Sequence, residues 1–94
     1  MVTLDRLRYF IEVATTEHVG NAAKLLAVSP SVVSAAIREL EEEFGCELFI
    51  REKQRIKLSD RGEILLEKAK EILNDTQRLY TELSAGEIKL KGHY

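Results

Sequence analysis

Ninety-four residues leave room for one compact core of about 60 residues plus one extended element, and exclude a second full domain. Hydrophobic residues make up 45% and charged residues 32% of the chain, which excludes a disordered tract and, with one proline and five glycines, implies a mainly α protein. The net charge of -2 hides an uneven distribution: Glu39, Glu41, Glu42 and Glu43 cluster, whereas Arg51, Lys53, Arg55 and Lys57 stand together with only Glu52.

From Leu4 to Ala14 the apolar positions Leu4, Leu7, Phe10, Ile11 and Ala14 recur at helical spacing, with Thr3 as N-cap and Asp5 in the first turn. Glu17-His18-Val19-Gly20 breaks this helix, and Asn21 is expected to cap a short second one, Asn21 to Ala27, with Ala22, Ala23 and Leu26 inward. Val28 and Ser29 make a tight turn. Ser29 caps a third helix opened by Pro30, whose fixed φ and missing N–H suit the first helical position. Val33, Ile37, Leu40 and Phe44 form its buried stripe, and Gly45 ends it.

Leu48-Phe49-Ile50-Arg51 and Arg55-Ile56-Lys57-Leu58 read as two short strands joined by Glu52-Lys53-Gln54. Ser59 and Asp60 open the last and longest helix, expected to reach about Leu83, with Ser84-Ala85-Gly86 as its breaker. Along it Leu65, Ala69, Ile72, Thr76, Leu79 and Leu83 alternate in steps of four and three, a heptad seam that Leu66, Leu73 and Tyr80 widen. The first two turns of this stripe can pack on their own domain. The remainder calls for self-association, so Leu65, Ala69, Ile72, Leu73, Thr76, Leu79, Tyr80 and Leu83 are the candidate dimerisation residues.

No run approaches the ~20 apolar residues that span a bilayer, and the first fifteen residues lack the pattern of a secretion signal. The expectation is a cytoplasmic protein with no membrane partner. The single cysteine, Cys46, lies among Phe44, Leu48 and Phe49 and reads as a small buried hydrophobe. His18 and His93 have no partners at metal-ligand spacing, and no nucleophile, base or phosphate-loop pattern occurs. Neither a metal, a cofactor nor an enzymatic activity is expected.

Two short helices joined by a tight turn, with small Ala23 where they cross and Val28 and Val33 beneath the turn, form the pattern of a helix-turn-helix. The stretch from Asn21 to Gly62 also resembles the amino-terminal domain of the LysR-type transcriptional regulators of bacteria. The likeness is most specific at Ser34, Ile37, Leu40-Glu41, Gly45, Leu48-Phe49, Arg51, Leu58 and Gly62, and extends from about Leu7 to the end of the last helix.

The resemblance implies a winged helix-turn-helix over residues 1–58, a linker and dimerisation helix over 59–85, and double-stranded DNA as the partner of a homodimer. The third helix would enter the major groove through Ser29, Pro30, Ser31, Val32, Ser34, Ala35 and Arg38. The wing would reach backbone or minor groove through Arg51, Lys53 and Arg55. Residues 86–94 are expected to begin an effector-binding domain or form a disordered tail, and any small-molecule effector or higher oligomer would depend on that further domain. Pro30, Ala35 and Ala36 replace polar residues common in the family, and Gly20 replaces a capping Ser or Thr, which shifts readout toward the wing and DNA shape. The alternative reading is a non-catalytic protein-interaction module that uses the amphipathic last helix.

Overall fold

The computed structural model describes the backbone of residues 1–90 and the side chains of residues 1–84. Helix α1 runs Leu4–Thr16, and Thr3 caps it by accepting from the Arg6 N–H at 3.2 Å. Its buried face is Leu7, Phe10 and Val13. Leu4, expected inside, is exposed, because the stripe rotates toward Val13 as the helix passes over the core.

Glu17 takes the left-handed conformation at φ 56 and ends α1, so α2, Val19–Leu26, starts two residues earlier than expected. The cap is His18 rather than Asn21. His18 Nδ1 accepts from the Asn21 N–H at 3.0 Å, and Thr16 Oγ1 donates to the His18 carbonyl at 3.0 Å. Gly20 and Asn21 consequently lie inside the first turn.

Ala27 at φ 60 closes α2, and the Val28 N–H donates to the Ala23 carbonyl at 3.0 Å, which turns the chain within three residues. Helix α3, Pro30–Phe44, leaves at 110° to α2, within the range of a helix-turn-helix. Ser29 is the residue before it, but its hydroxyl makes no capping bond: Ser29 Oγ instead lies 3.1 Å from Ser31 Oγ.

Val33, Ala36 and Leu40 are the buried residues of α3, with Ile37 half-buried. Phe44 is exposed rather than buried. Gly45, at φ 68, reverses the chain so that Cys46 and Leu48 fold back on Leu40 and fill the space expected for Phe44. The Leu48 N–H donates to Glu41 Oε2 at 2.8 Å, which makes Glu41 a brace for this connection.

The wing consists of antiparallel strands β1, Phe49–Glu52, and β2, Arg55–Leu58, paired Phe49 to Leu58 through Glu52 to Arg55. This register leaves a two-residue loop, Lys53-Gln54, one residue shorter than expected, and places Lys53 at φ 53. Phe49 rests on Phe10 with ring centroids 5.2 Å apart, and Ile56 enters the cluster formed by Val13, Ala22, Ala23 and Val33.

Ser59 anchors the start of α4, Asp60–Leu90. Its hydroxyl donates to the Glu47 carbonyl at 2.7 Å and accepts from the Gly62 N–H at 3.0 Å, while its own N–H donates to the Leu48 carbonyl at 3.0 Å. Leu65 and Leu66 join the cluster of Phe10, Leu40 and Leu48. The helix continues through the expected breaker at 84–86 and to Leu90, so residues 86–90 are helical; residues 91–94 lie outside the described part. At 31 residues α4 is about 46 Å long, far longer than the core beneath it.

Candidate nucleic-acid interface

Ser31, Ser34 and Arg38 are separated by three and four positions and therefore share one face of α3. Arg51 stands opposite this face because the hairpin pairs it with the buried Ile56, and cross-strand partners project from the same side of a sheet. Ser34, Arg38 and Arg51 line one groove between α3 and the wing, together with the apolar Val19, Ile37, Phe49 and Ile56 and the acidic Glu41 and Glu47. Ser34 and Arg51 also line the adjoining recess with Glu17, His18, Gly20 and Gln54.

Around this groove, Ser29, Pro30, Ser31 and Val32 are exposed on the opening turn of α3 or just before it. Ser34 and Ala35 are half-buried, so Ser34 is less open than a freely projecting contact, and Ala36 is buried and presents nothing to a partner. Arg38 and Arg51 are exposed and make no ion pair among the described residues. Arg38 therefore does not take the intrahelical pairing with Glu41 or Glu42 that its spacing allowed.

The remaining basic residues of the wing divide. Lys53 sits at the tip, outside the groove lining and without an ion-pair partner among the described residues. Strand alternation sends Arg55 to the side opposite Arg51, where its Nη2 donates to Glu17 Oε1. Lys57 approaches Glu52 at 3.9 Å. Grouping Arg51, Lys53 and Arg55 as one patch is thus corrected: two of them face away from each other, and only one lines the groove.

Within the acidic cluster Glu39 and Glu43 are turned toward the N-terminal segment, whereas Glu41 lines the groove. Arg6 pairs with Glu39 at 2.7 Å, the N-terminal ammonium with Glu43 at 3.1 Å, and Glu41 is occupied by the Leu48 N–H. Two of the cluster's carboxylates are thus paired away from the groove, whereas Glu41 and Glu47 line it beside Arg38 and Arg51, and the chain's acidic average is only partly offset at this face.

On α4 the expected seam also divides. Ala69 is wholly buried against its own domain and Leu65 packs on Phe10, Leu40 and Leu48, which corrects their expected place on a partner-facing surface. Leu73 and Thr76 are half-buried, and Thr76 Oγ1 donates to the Ile72 carbonyl at 2.9 Å. Ile72, Leu79, Tyr80 and Leu83 are exposed, the last three by 59%, 67% and 64%. Leu25 on α2, exposed by 68%, lines a shallow recess with Ile11 and Leu73.

Residues 4–63 match the family model described as bacterial regulatory helix-turn-helix protein, lysR family. The chain is 40% identical over 80 residues to the HTH-type transcriptional regulator HdfR of Salmonella typhimurium, a match covering 85% of this chain and 29% of the relative. Among solved structures it is similar to a CbnR DBD–DNA complex, with a TM-score of 0.86 at 31% identity over 92% of this chain and 99% of the other. It is also similar to full-length OxyR of Pseudomonas aeruginosa, with a TM-score of 0.86 at 32% identity over 92% of this chain and 29% of the other. A BenM DBD complex with catB site 1 DNA matches with a TM-score of 0.87 at 26% identity, over 92% of this chain and 96% of the other. The fold, the position of the wing and the matched residues together place this chain in the lysR family of bacterial helix-turn-helix regulators.

Proposed function

We propose that this chain is the DNA-binding part of a transcription regulator that recognises double-stranded DNA in sequence-specific fashion as a homodimer. The single observation that carries the reading is the convergence of Ser34, Arg38 and Arg51 on one groove, with no carboxylate among the described residues paired to either arginine. Two solved structures of the same fold are complexes with DNA. The start of α3 would enter the major groove, where short hydroxyls at Ser29, Ser31 and Ser34 reach phosphates or base edges and Val32 meets a thymine methyl. Pro30 and Ala35 shape this surface, Arg38 pairs with phosphate, and Arg51 and Lys53 reach backbone or minor groove.

The chain spans 29% of the length of the HdfR relatives, so effector response belongs to the proposal and would operate through a further domain. A regulator of this kind acts in the bacterial cytoplasm and performs no catalysis. Dimerisation is assigned to the exposed part of α4, Ile72, Leu79, Tyr80 and Leu83, flanked by Leu73 and Thr76. A two-fold axis then requires half-sites about 10 bp apart, or a multiple of that spacing.

Selection of duplexes from a random pool tests the reading. The expected product is an imperfect palindrome whose affinity falls by about 10³ between 50 and 200 mM salt if six or more phosphates are neutralised. Arg51→Ala should lose retardation while dimers persist. A pool that enriches nothing, with the exposed face of α4 capturing other proteins instead, would replace DNA recognition with the protein-interaction reading.

A further inference from the structure

The wing's apolar half is fixed by Phe49 on Phe10 and by Ile56 in the core, but beyond Arg51 no apolar side chain is buried. The loop that joins its strands places Lys53, a non-glycine residue, in the left-handed region. Glycine or asparagine would favour this hairpin closure, so the loop alone specifies its conformation weakly. Among the described residues the one polar tie from this distal half to another element is Arg55 to Glu17, across 38 positions of sequence.

Glu17 stands at the hinge between α1 and α2, held in place by its own backbone, whose N–H donates to the Val13 carbonyl at 2.7 Å. It shares the recess lined by Ser34, Arg51 and Gln54. A carboxylate there, left unpaired, would repel an approaching phosphate and compete for Arg51. Arg55 occupies that carboxylate from the outer side of the hairpin and leaves Arg51 free on the inner side.

Accepting the DNA-binding reading above, we infer that Arg55 is a positioning residue: its pair with Glu17 ties the wing tip to the α1–α2 hinge and sets where Arg51 stands relative to α3. It is a strut, not a phosphate contact. Both partners are partly exposed, with side chains 68% and 32% accessible, so screening keeps its strength small and its effect is on wing order rather than on the stability of the fold.

The test compares Glu17→Gln, Arg55→Ala, the double variant and the exchange of the two charges, Glu17→Arg with Arg55→Glu. Amide order parameters of residues 51–55 are measured without DNA, and affinity for a mixed-sequence duplex is measured across salt. Each single variant should lower wing-tip order from about 0.85 toward 0.6 and weaken binding about two- to fivefold, with the salt slope unchanged. The double variant should be no weaker than either single one, and the exchange should restore the order parameters.

A drop of about 1 in the salt slope for Arg55→Ala, with wing order unchanged, would make Arg55 a phosphate contact and overturn the strut. Tighter binding by Glu17→Gln would overturn it equally. If the parent chain holds no duplex while both variants still loosen the wing, DNA recognition fails and the strut stands.

Discussion

A Cβ atom placed on Gly62 would collide with the carbonyl oxygen of Leu48 and lie 2.9 Å from Leu58 Cδ2. The first turn of α4 thus runs against backbone, at the point where Ser59 already joins α4 to Glu47 and Leu48. Backbone cannot swing aside as a long side chain can. The position requires glycine for close approach rather than for an unusual φ.

Gly62→Ala is accordingly expected to destabilise the domain by about 3 kcal/mol, the upper part of the usual range for overpacking. At this size that corresponds to a fall in Tm of more than about 10 °C. An unchanged melting curve would mean that α4 can shift away from β1 without loss.

Ala27 closes α2 at φ 60, a conformation that costs an L side chain about 1 kcal/mol or more and glycine almost nothing. Ala27→Gly should stabilise by up to about 1 kcal/mol, reduced by the extra freedom glycine has in the unfolded chain. Chemical denaturation measures it, and a clear loss of stability would show that the methyl group contributes packing that outweighs the strain.

The exposed residues of α4 separate assembly from folding. Leu79→Ser combined with Leu83→Ser should dissociate the proposed homodimer in sedimentation experiments while the melting of the core changes little. Leu65→Ser should do the reverse, lowering stability by about 2 kcal/mol or more through the cluster of Phe10, Leu40 and Leu48. Dimers that survive the double change would move the interface to another face.

Lys53 combines a strained backbone with a charge that has no ion-pair partner among the described residues. Lys53→Gly should leave stability equal or slightly higher, because the loop conformation then suits its residue, and should lower the salt slope of DNA binding by about 1. Calorimetry and a salt titration check the two halves independently. A slope that does not move would remove Lys53 from the interface.

Much of this fold was legible from local pattern. Thr3, Pro30, Gly45 and Ser59 mark helix ends because caps act within three or four residues of the chain. The stripe of Val33, Ile37 and Leu40 follows from helical geometry in the same way, and the motif from Ser34 to Gly62 pointed to the family. Where that reading failed, a nearby residue competed for the same place. His18 captured the cap expected of Asn21, and Leu48 took the place of Phe44 once Gly45 had turned the chain.

The sequence by itself determined the element types and their order, because hydrophobic periodicity and capping are interactions between near neighbours. Only the tertiary structure decided which arginine of the wing is free, which leucines of α4 remain uncovered, and why position 62 has no side chain. Those outcomes depend on pairs such as Arg55 with Glu17 and Gly62 with Leu48. Partners so far apart in sequence meet only after the core has packed.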